Sequence, residues 1–206
     1  MSSTLYDFGN MYEQMKAATR DRAVNILRGQ AASWINFSYR GTTVKAGDFT
    51  AVATALEKNK IYMDIDNYKY RNGAEYWPAN TTINGCKVTG RFVFGMGSSD
   101  LSRVESKALL IHEAVHAALD MRSQSSITVL RSECVAYIAQ QLWHKAVTTE
   151  WLPDTGYKFK HAATCAGYFW DAKQPAEGDM LMLEAAIMGD KEYGWKVAWE
   201  KTGYDG

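Results

Sequence analysis

The sequence has little proline, little cysteine and no excess of charge of either sign. Lys plus Arg and Asp plus Glu both number 23 among the 206 residues, so the formal net charge is zero. Proteins that attract nucleic acid or an anionic membrane through their overall field carry a positive excess. We therefore expect no nucleic-acid partner.

Long hydrophobic runs are also missing. No stretch reaches the roughly 18 apolar residues that a membrane-spanning helix requires, and the first 20 residues carry polar and charged groups throughout. We expect no membrane span and no Sec signal peptide, and a cytoplasmic location is the simplest expectation.

The three cysteines, Cys86, Cys134 and Cys165, lie far apart, and none belongs to a CxxC pair. This spacing excludes a zinc knuckle and a thioredoxin-like motif. An odd number of cysteines without a signal peptide favours reduced, buried thiols, and one disulfide plus a free thiol is the alternative.

Composition indicates one folded domain. Hydrophobic residues make up 47% of the chain and charged residues 22%, and no linker or repeat divides it. A chain of this size can bury its own core. We expect N-terminal helices in residues 1–58, a sheet with two further helices in 60–143, and C-terminal helices in 145–206.

Hydrophobic spacing predicts the elements before the middle of the chain. Helical periodicity predicts helices over residues 12–29 and 48–58. Alternation of apolar and polar residues predicts a strand over 61–65, and two more strands are expected at 74–77 and 88–94. A small sheet therefore precedes the second half of the chain.

Helices are predicted for the second half. The pattern Ser102-x-x-Glu105 has the form of a capping box that opens a helix running to about Asp120. A further helix is expected over 129–145, and two or three more over 155–199.

The helix that ends near Asp120 contains His112-Glu113-Ala114-Val115-His116, which is the HExxH pattern. Residues four apart lie one turn apart on the same helix face, so both imidazoles can bind one metal ion. Glu113 is then placed to take a proton from a water bound to that ion. An unpaired imidazole on such an apolar helix costs about 1–3 kcal/mol, which disfavours a purely structural role for both histidines.

A catalytic zinc needs a third protein ligand and one open position. Glu133, on the following predicted helix, is our choice. Asp120 continues the spacing of the two histidines but lies about 6 Å further along one straight helix, too far to complete a tetrahedron. We expect Asp120 to be either a hydrogen-bond acceptor for His116 or a helix-end residue.

Hydrolysis also needs a donor that stabilises the developing oxyanion. Tyr137, Tyr157 and His161 are the candidates, and the sequence does not choose among them. His144 shares the face of Glu133 but lies roughly 16 Å along the helix, so we expect it at the surface and not at the metal.

The two segments HEAVHAALD and SECVAYIAQQL resemble the gluzincin metallopeptidases, and more narrowly the small bacterial gluzincins and ImmA/IrrE-like proteins. The resemblance covers roughly residues 60–143. It implies an α+β, zincin-like fold, in which a small, twisted, mostly antiparallel sheet packs on the active-site helix and an edge strand near Arg91–Phe94 lines the cleft. It also implies that His112, His116 and Glu133 bind Zn²⁺ and that Glu113 is the general base. Thermolysin-like enzymes have a carboxylate where this chain has Tyr137.

We therefore expect a zinc metallopeptidase or amidase that cleaves a peptide-like bond in a protein or in a peptidoglycan stem peptide. The resemblance to toxin-like bacterial effectors also implies export by a specialised route without a signal peptide, and an immunity or inhibitor protein as partner. Two alternatives stay open: a zinc-binding regulatory or scaffold protein without hydrolytic activity, and a helical binding module in which HExxH is accidental.

Overall fold

Helices make up most of the fold, and a three-stranded sheet lies beside them. The computed structural model describes residues 3–66, 73–80, 82–83, 86–87, 89–124, 126–153, 156–191 and 193–202. The helices within these ranges are α1 (Ser3–Leu27), α2 (Gln30–Ser33), α3 (Ala46–Glu57), α4 (Val104–Met121), α5 (Val129–Thr148), α6 (Tyr157–Trp170) and α7 (Glu177–Met188), followed by a 3-10 turn (Trp195–Ala198). The strands are β1 (Asn36–Tyr39), β2 (Thr42–Lys45), β3 (Tyr62–Asp66), β4 (Ala74–Trp77), β5 (Thr82–Ile83), β6 (Cys86–Lys87) and β7 (Arg91–Gly95). The expected α+β class is confirmed.

The two helices that carry the motif residues are confirmed, but the predicted capping box is wrong. Arg103, not Ser102, is the N-cap of α4, and its side chain makes no capping bond. Ser102 instead donates hydrogen bonds from its N–H and its hydroxyl to the Asp100 carboxylate. At the start of α5, by contrast, the Thr128 side chain accepts a bond from the Arg131 N–H, as an N-cap should.

The main sheet has the order β3-β7-β4, with β3 parallel and β4 antiparallel to β7. The expectation that Arg91–Phe94 forms the edge strand is wrong. Phe92, Val93 and Phe94 are all buried, which is the pattern of a central strand covered on both faces. The edge strand beside α4 is β4, and the two remaining strand pairs, β1-β2 and β5-β6, are antiparallel.

A hairpin that we did not predict joins β1 to β2. Its two turn residues, Arg40 and Gly41, have φ of 51° and 81°, as a tight two-residue hairpin turn requires. Phe37, Tyr39 and Val44 point into the core. The hairpin therefore closes one side of the helical layer.

The site residues lie in the centre of the core, because α4 packs along α5. From Leu110 to Asp120 every residue of α4 is buried. Cys134 and Cys165 are buried and free, as expected for reduced thiols. None of the described helices combines the length and apolarity needed to cross a membrane.

Candidate metal centre

Three side chains from two helices converge on one point. His112 Nε2 and His116 Nε2, from α4, are 3.2 Å apart. Glu133, from α5, brings one carboxylate oxygen to 3.2 Å from His112 Nε2 and the other to 3.4 Å from His116 Nε2. All three residues are buried, and together they form a group that can hold a metal ion. The structure therefore brings together the three predicted ligands.

These separations fit a tetrahedral ion. Ligand atoms about 2.0–2.1 Å from a tetrahedral zinc lie roughly 3.3 Å from one another. The two Nε2 atoms are 3.2 Å apart, and each has a different Glu133 oxygen at 3.2 or 3.4 Å, so the carboxylate faces both imidazoles at distances near that value. Two neutral imidazoles can form a hydrogen bond through facing Nε2 atoms only if one Nε2 carries a proton and the other does not. A cation between the two lone pairs satisfies both nitrogens at once.

The orientation of His116 is fixed from the opposite side of its ring. Its Nδ1 lies 2.7 Å from the Ser132 hydroxyl, next to the ligand Glu133. The Ser132 hydroxyl can accept the proton of Nδ1, and in that tautomer Nε2 carries a lone pair that can bind a metal. We expected Asp120 to be either an acceptor for His116 or a helix-end residue, and the group beside His116 Nδ1 is the Ser132 hydroxyl.

Asp120 instead binds two donors at β4, consistent with its position near the end of α4. Its Oδ2 accepts hydrogen bonds from the Tyr76 hydroxyl at 2.7 Å and from the Ala79 N–H at 3.2 Å. Both donors belong to β4 or to the residues just after it. Asp120 therefore fastens the edge strand to the metal-site helix.

Glu113 belongs to the site but not to the ligand group. It is 5% exposed, and its Oε2 accepts a hydrogen bond of 2.8 Å from the Tyr76 N–H of β4. Burial, together with the charge of Glu133, raises the pKa of Glu113 to about 8. The edge strand β4 thus holds the Glu113 carboxylate beside the three metal ligands.

The protonation states of two of the three ligands, His116 and Glu133, suit metal binding; for His112, burial is outweighed by the bond to Glu133, which raises the pKa. Burial lowers the pKa of His116 to about 4, so this imidazole is neutral near pH 7. Burial alone raises the pKa of Glu133, but the imidazoles of His116 and His112 lower it more, and the resulting pKa is about 2. A neutral imidazole and an ionised carboxylate are the forms that bind divalent metals.

Tyr193 is a functional residue that the sequence analysis missed. Its hydroxyl donates a 2.9 Å hydrogen bond to Glu133 Oε2 and lies 3.0 Å from the Tyr137 hydroxyl. The Glu133 carboxylate is therefore oriented by a tyrosine that lies 60 residues further along the chain. Nothing in the local sequence around Tyr193 signals this contact.

The three metal ligands line a cavity of about 800 Å³, which we call the metal pocket. Glu75, Glu113, Tyr137 and Lys158 also line it. Lys158, also missed, is buried and forms an ion pair with Asp190 at 3.2 Å. Its ammonium lies 5.2 Å from the ring centre of Tyr137 and 5.0 Å from that of Tyr193. A volume of this size accommodates several residues of a peptide.

The three candidate oxyanion donors differ in whether they line the metal pocket. Tyr137 lines the metal pocket, and its ring meets that of His112 at a centroid distance of 4.5 Å. Burial raises its pKa to about 12, so its hydroxyl keeps its proton. Tyr157 is 78% exposed and His161 is half-buried on α6, and neither lines the pocket.

His144 is not at the surface, contrary to expectation. It is 5% exposed, and its Nδ1 lies 3.0 Å from the Glu150 carbonyl oxygen, to which it donates. The chain after α5 turns back and covers this part of the helix. His144 is a buried structural residue away from the metal ligands.

Comparison with known proteins adds no assignment to this geometry. The functional argument therefore depends on the residues of the site themselves. No protein-family model, no curated protein and no solved structure matches the chain.

Proposed function

We propose that this protein is a zinc-dependent hydrolase of the HExxH…E type, a metallopeptidase or amidase. The observation that carries the proposal is the convergence of His112, His116 and Glu133, whose nearest facing atoms lie 3.2–3.4 Å apart pair by pair, with a second carboxylate, Glu113, beside them. A structural zinc site fills all four positions with protein ligands, whereas a catalytic site leaves one open. Three ligands and an adjacent base favour catalysis over a scaffold role.

The donor set favours zinc. Two imidazoles and one carboxylate are typical ligands of catalytic zinc, whereas magnesium and calcium prefer six or more oxygen ligands. When bound, the ion polarises a substrate carbonyl and acidifies a water molecule. His112, His116 and Glu133 hold it, and Ser132 and Tyr193 orient two of these ligands.

Glu113 is the general base in this proposal. Its Oε2 is held by the Tyr76 N–H, which leaves Oε1 to take the proton from the attacking water. The proton then passes from Glu113 to the leaving amine. Tyr137, whose hydroxyl is protonated, is the tyrosine of the predicted set that lines the pocket and can donate to the developing oxyanion.

A zincin-like arrangement of the fold belongs to the same proposal. The HExxH helix α4 packs against β4, an edge strand antiparallel to β7. Ala74, Glu75 and Tyr76 of β4 line the metal pocket, so an extended peptide in the pocket would lie along this strand. The substrate is then a peptide or a protein, including a peptidoglycan stem peptide.

We extend the proposal to a bacterial toxin-like effector on the sequence resemblance alone. Such an effector is exported by a specialised secretion route and is neutralised by an immunity protein. Both features are proposals.

The decisive variant is Glu113→Gln. It keeps the volume and the Tyr76 contact but cannot take a proton, so zinc content should equal that of the parent while hydrolysis of a proteome-derived peptide mixture falls by at least about a thousandfold. Glu13→Gln, at an exposed glutamate of α1 that does not line the metal pocket, is the matched control and should keep full activity. A Glu113→Gln protein that retains its effect in the cell would support the scaffold alternative instead.

A further inference from the structure

A second cavity lies next to the metal pocket. It has a volume of about 480 Å³, against about 800 Å³ for the metal pocket. Leu109 from α4, Gln140 from α5 and Phe159 from α6 line both cavities, so the two share a wall. We call the second one the side cavity.

Two neighbouring glutamines of α5 lie at the side cavity, and they differ in whether the side-chain oxygen has a hydrogen-bond donor. Gln141 is fully buried and fully engaged: its Nε2 donates to the Phe159 carbonyl at 3.1 Å, and its Oε1 accepts from the Leu152 N–H at 2.9 Å. Leu152 and Phe159 both line the side cavity. Gln141 therefore builds the cavity wall.

Gln140 is buried as well, at 5% exposure, but its Oε1 has no hydrogen-bond donor among the residues that the structure describes. Leaving a buried carbonyl acceptor without a partner costs about 1–3 kcal/mol. Native proteins rarely keep such a group unless a water or a ligand completes it. Gln140 lines both the side cavity and the metal pocket, so a ligand that spans the two cavities would lie beside it.

The chemistry of the side cavity indicates what enters it. Leu109, Leu152, Pro153 and Phe159 give it apolar walls. The charged side chains that line it, Arg103 and Glu105, are 68% and 58% exposed and so remain in solvent at the rim. An apolar side chain gains free energy by leaving water in such a cavity.

We propose that the side cavity is a specificity subsite that binds an apolar side chain of the substrate, and that Gln140 Oε1 accepts a hydrogen bond from the substrate N–H next to that side chain. A peptide supplies both groups on one residue. The inference depends on the proposed hydrolase function, since it assigns part of the substrate of that same site.

Peptide hydroxamates test this directly, because they bind a catalytic zinc without being cleaved. The series varies one side chain (glycine, leucine or phenylalanine) and carries either hydrogen or methyl on the adjacent amide nitrogen. Affinities for the zinc-loaded protein are measured by titration calorimetry. We expect leucine and phenylalanine compounds to bind at least about tenfold tighter than glycine, and N-methylation to weaken binding about tenfold.

Three variants separate the hydrogen bond from the cavity. Gln140→Leu removes the acceptor, so N-methylation should then change affinity less than about twofold. Gln140→Glu keeps an acceptor oxygen and should restore the methylation penalty. Ser106→Leu, at a buried residue that lines the side cavity, should remove the preference for phenylalanine while sparing the glycine compound.

Each adverse result is specific. Equal affinities for the glycine and leucine compounds, the same methylation penalty in the parent and in Gln140→Leu, or no hydroxamate binding at all would overturn the inference. A protein that shows the side-chain preference but hydrolyses no peptide loses the proposed function and keeps the subsite. A protein that hydrolyses peptides without any such preference does the reverse.

Discussion

Replacing Tyr193 by phenylalanine should weaken zinc binding by about 10- to 100-fold. The change removes one hydroxyl and keeps the ring, so packing around the site is preserved. What is lost is the 2.9 Å hydrogen bond to Glu133 Oε2. Without it, the carboxylate can rotate away from the two imidazoles.

The magnitude follows from the charge of the acceptor. Burial and the two imidazoles together leave Glu133 with a pKa of about 2, so it is ionised at neutral pH. A hydrogen bond to a charged group contributes roughly 1.5–3 kcal/mol, which corresponds to about 10- to 150-fold in a binding constant. Tyr193 is only half-buried, so the lower part of this range is expected.

Competition with a chromogenic zinc chelator at pH 7 measures the dissociation constant. Tyr157→Phe, at a tyrosine that is 78% exposed, is the matched control and should leave it unchanged. Tyr137→Phe removes the neighbour of Tyr193 but not its bond to Glu133, so a smaller loss is expected. A Tyr193→Phe protein whose zinc affinity lies within twofold of the parent would refute this account of how Glu133 is oriented.

Three further outcomes are expected. Asp120→Asn weakens the charge-assisted bonds to Tyr76 and Ala79, so the free energy of unfolding should fall by about 1–3 kcal/mol. Urea titration measures this, and an unchanged midpoint would show that these bonds do not fasten β4 to α4. Removing zinc with a chelator should lower the melting temperature without loss of helical circular dichroism, and zinc at 100 times its dissociation constant should restore about 2.7 kcal/mol; unfolding on chelation would contradict a site formed by the core. Gly41→Ala, at φ +81° with open space around the added Cβ, should cost about 1–2 kcal/mol from backbone strain alone, and a stability equal to the parent would show that the hairpin turn relaxes.

The helices and the ligands of the site could be predicted because their signals are local. The histidines four residues apart and the apolar periodicity of α4 and α5 specify a helix pair with the ligands on facing sides. The His112, His116 and Glu133 group follows from these two segments. Distance along the chain between α4 and α5 is short, so their packing is the simplest one.

The residues that complete the site could not be predicted, because their contacts are long-range. Tyr193 reaches Glu133 across 60 residues, and Lys158 comes from α6. Spacing along α4 suggested Asp120 as one possible hydrogen-bond partner of His116, but Ser132 of the next helix lies beside His116 Nδ1. Whether a partner lies on the next helix depends on how the helices are rotated against each other, which no single pattern specifies.

The errors in the sheet and the loops have other causes. The central position of β7 is encoded in the unbroken apolar run Phe92–Phe94, whereas our expectation of an edge strand there came from the family resemblance. The β1-β2 hairpin has Arg40-Gly41 in place of the commoner Asn-Gly, so its turn signal is weak. His144 is buried by the residues after α5, whose course depends on tertiary packing.

One helix, α5, carries the ligand Glu133, the Ser132 that orients His116, and Gln140 at the side cavity. A small rotation of this helix against its neighbours would displace all three groups together. A cavity of about 380 Å³ on another side of α5, lined by Leu142, Phe169 and Trp170, gives access to its packing against α6. Because the three groups share one helix backbone, a substitution that shifts α5 at this cavity is expected to affect all three together.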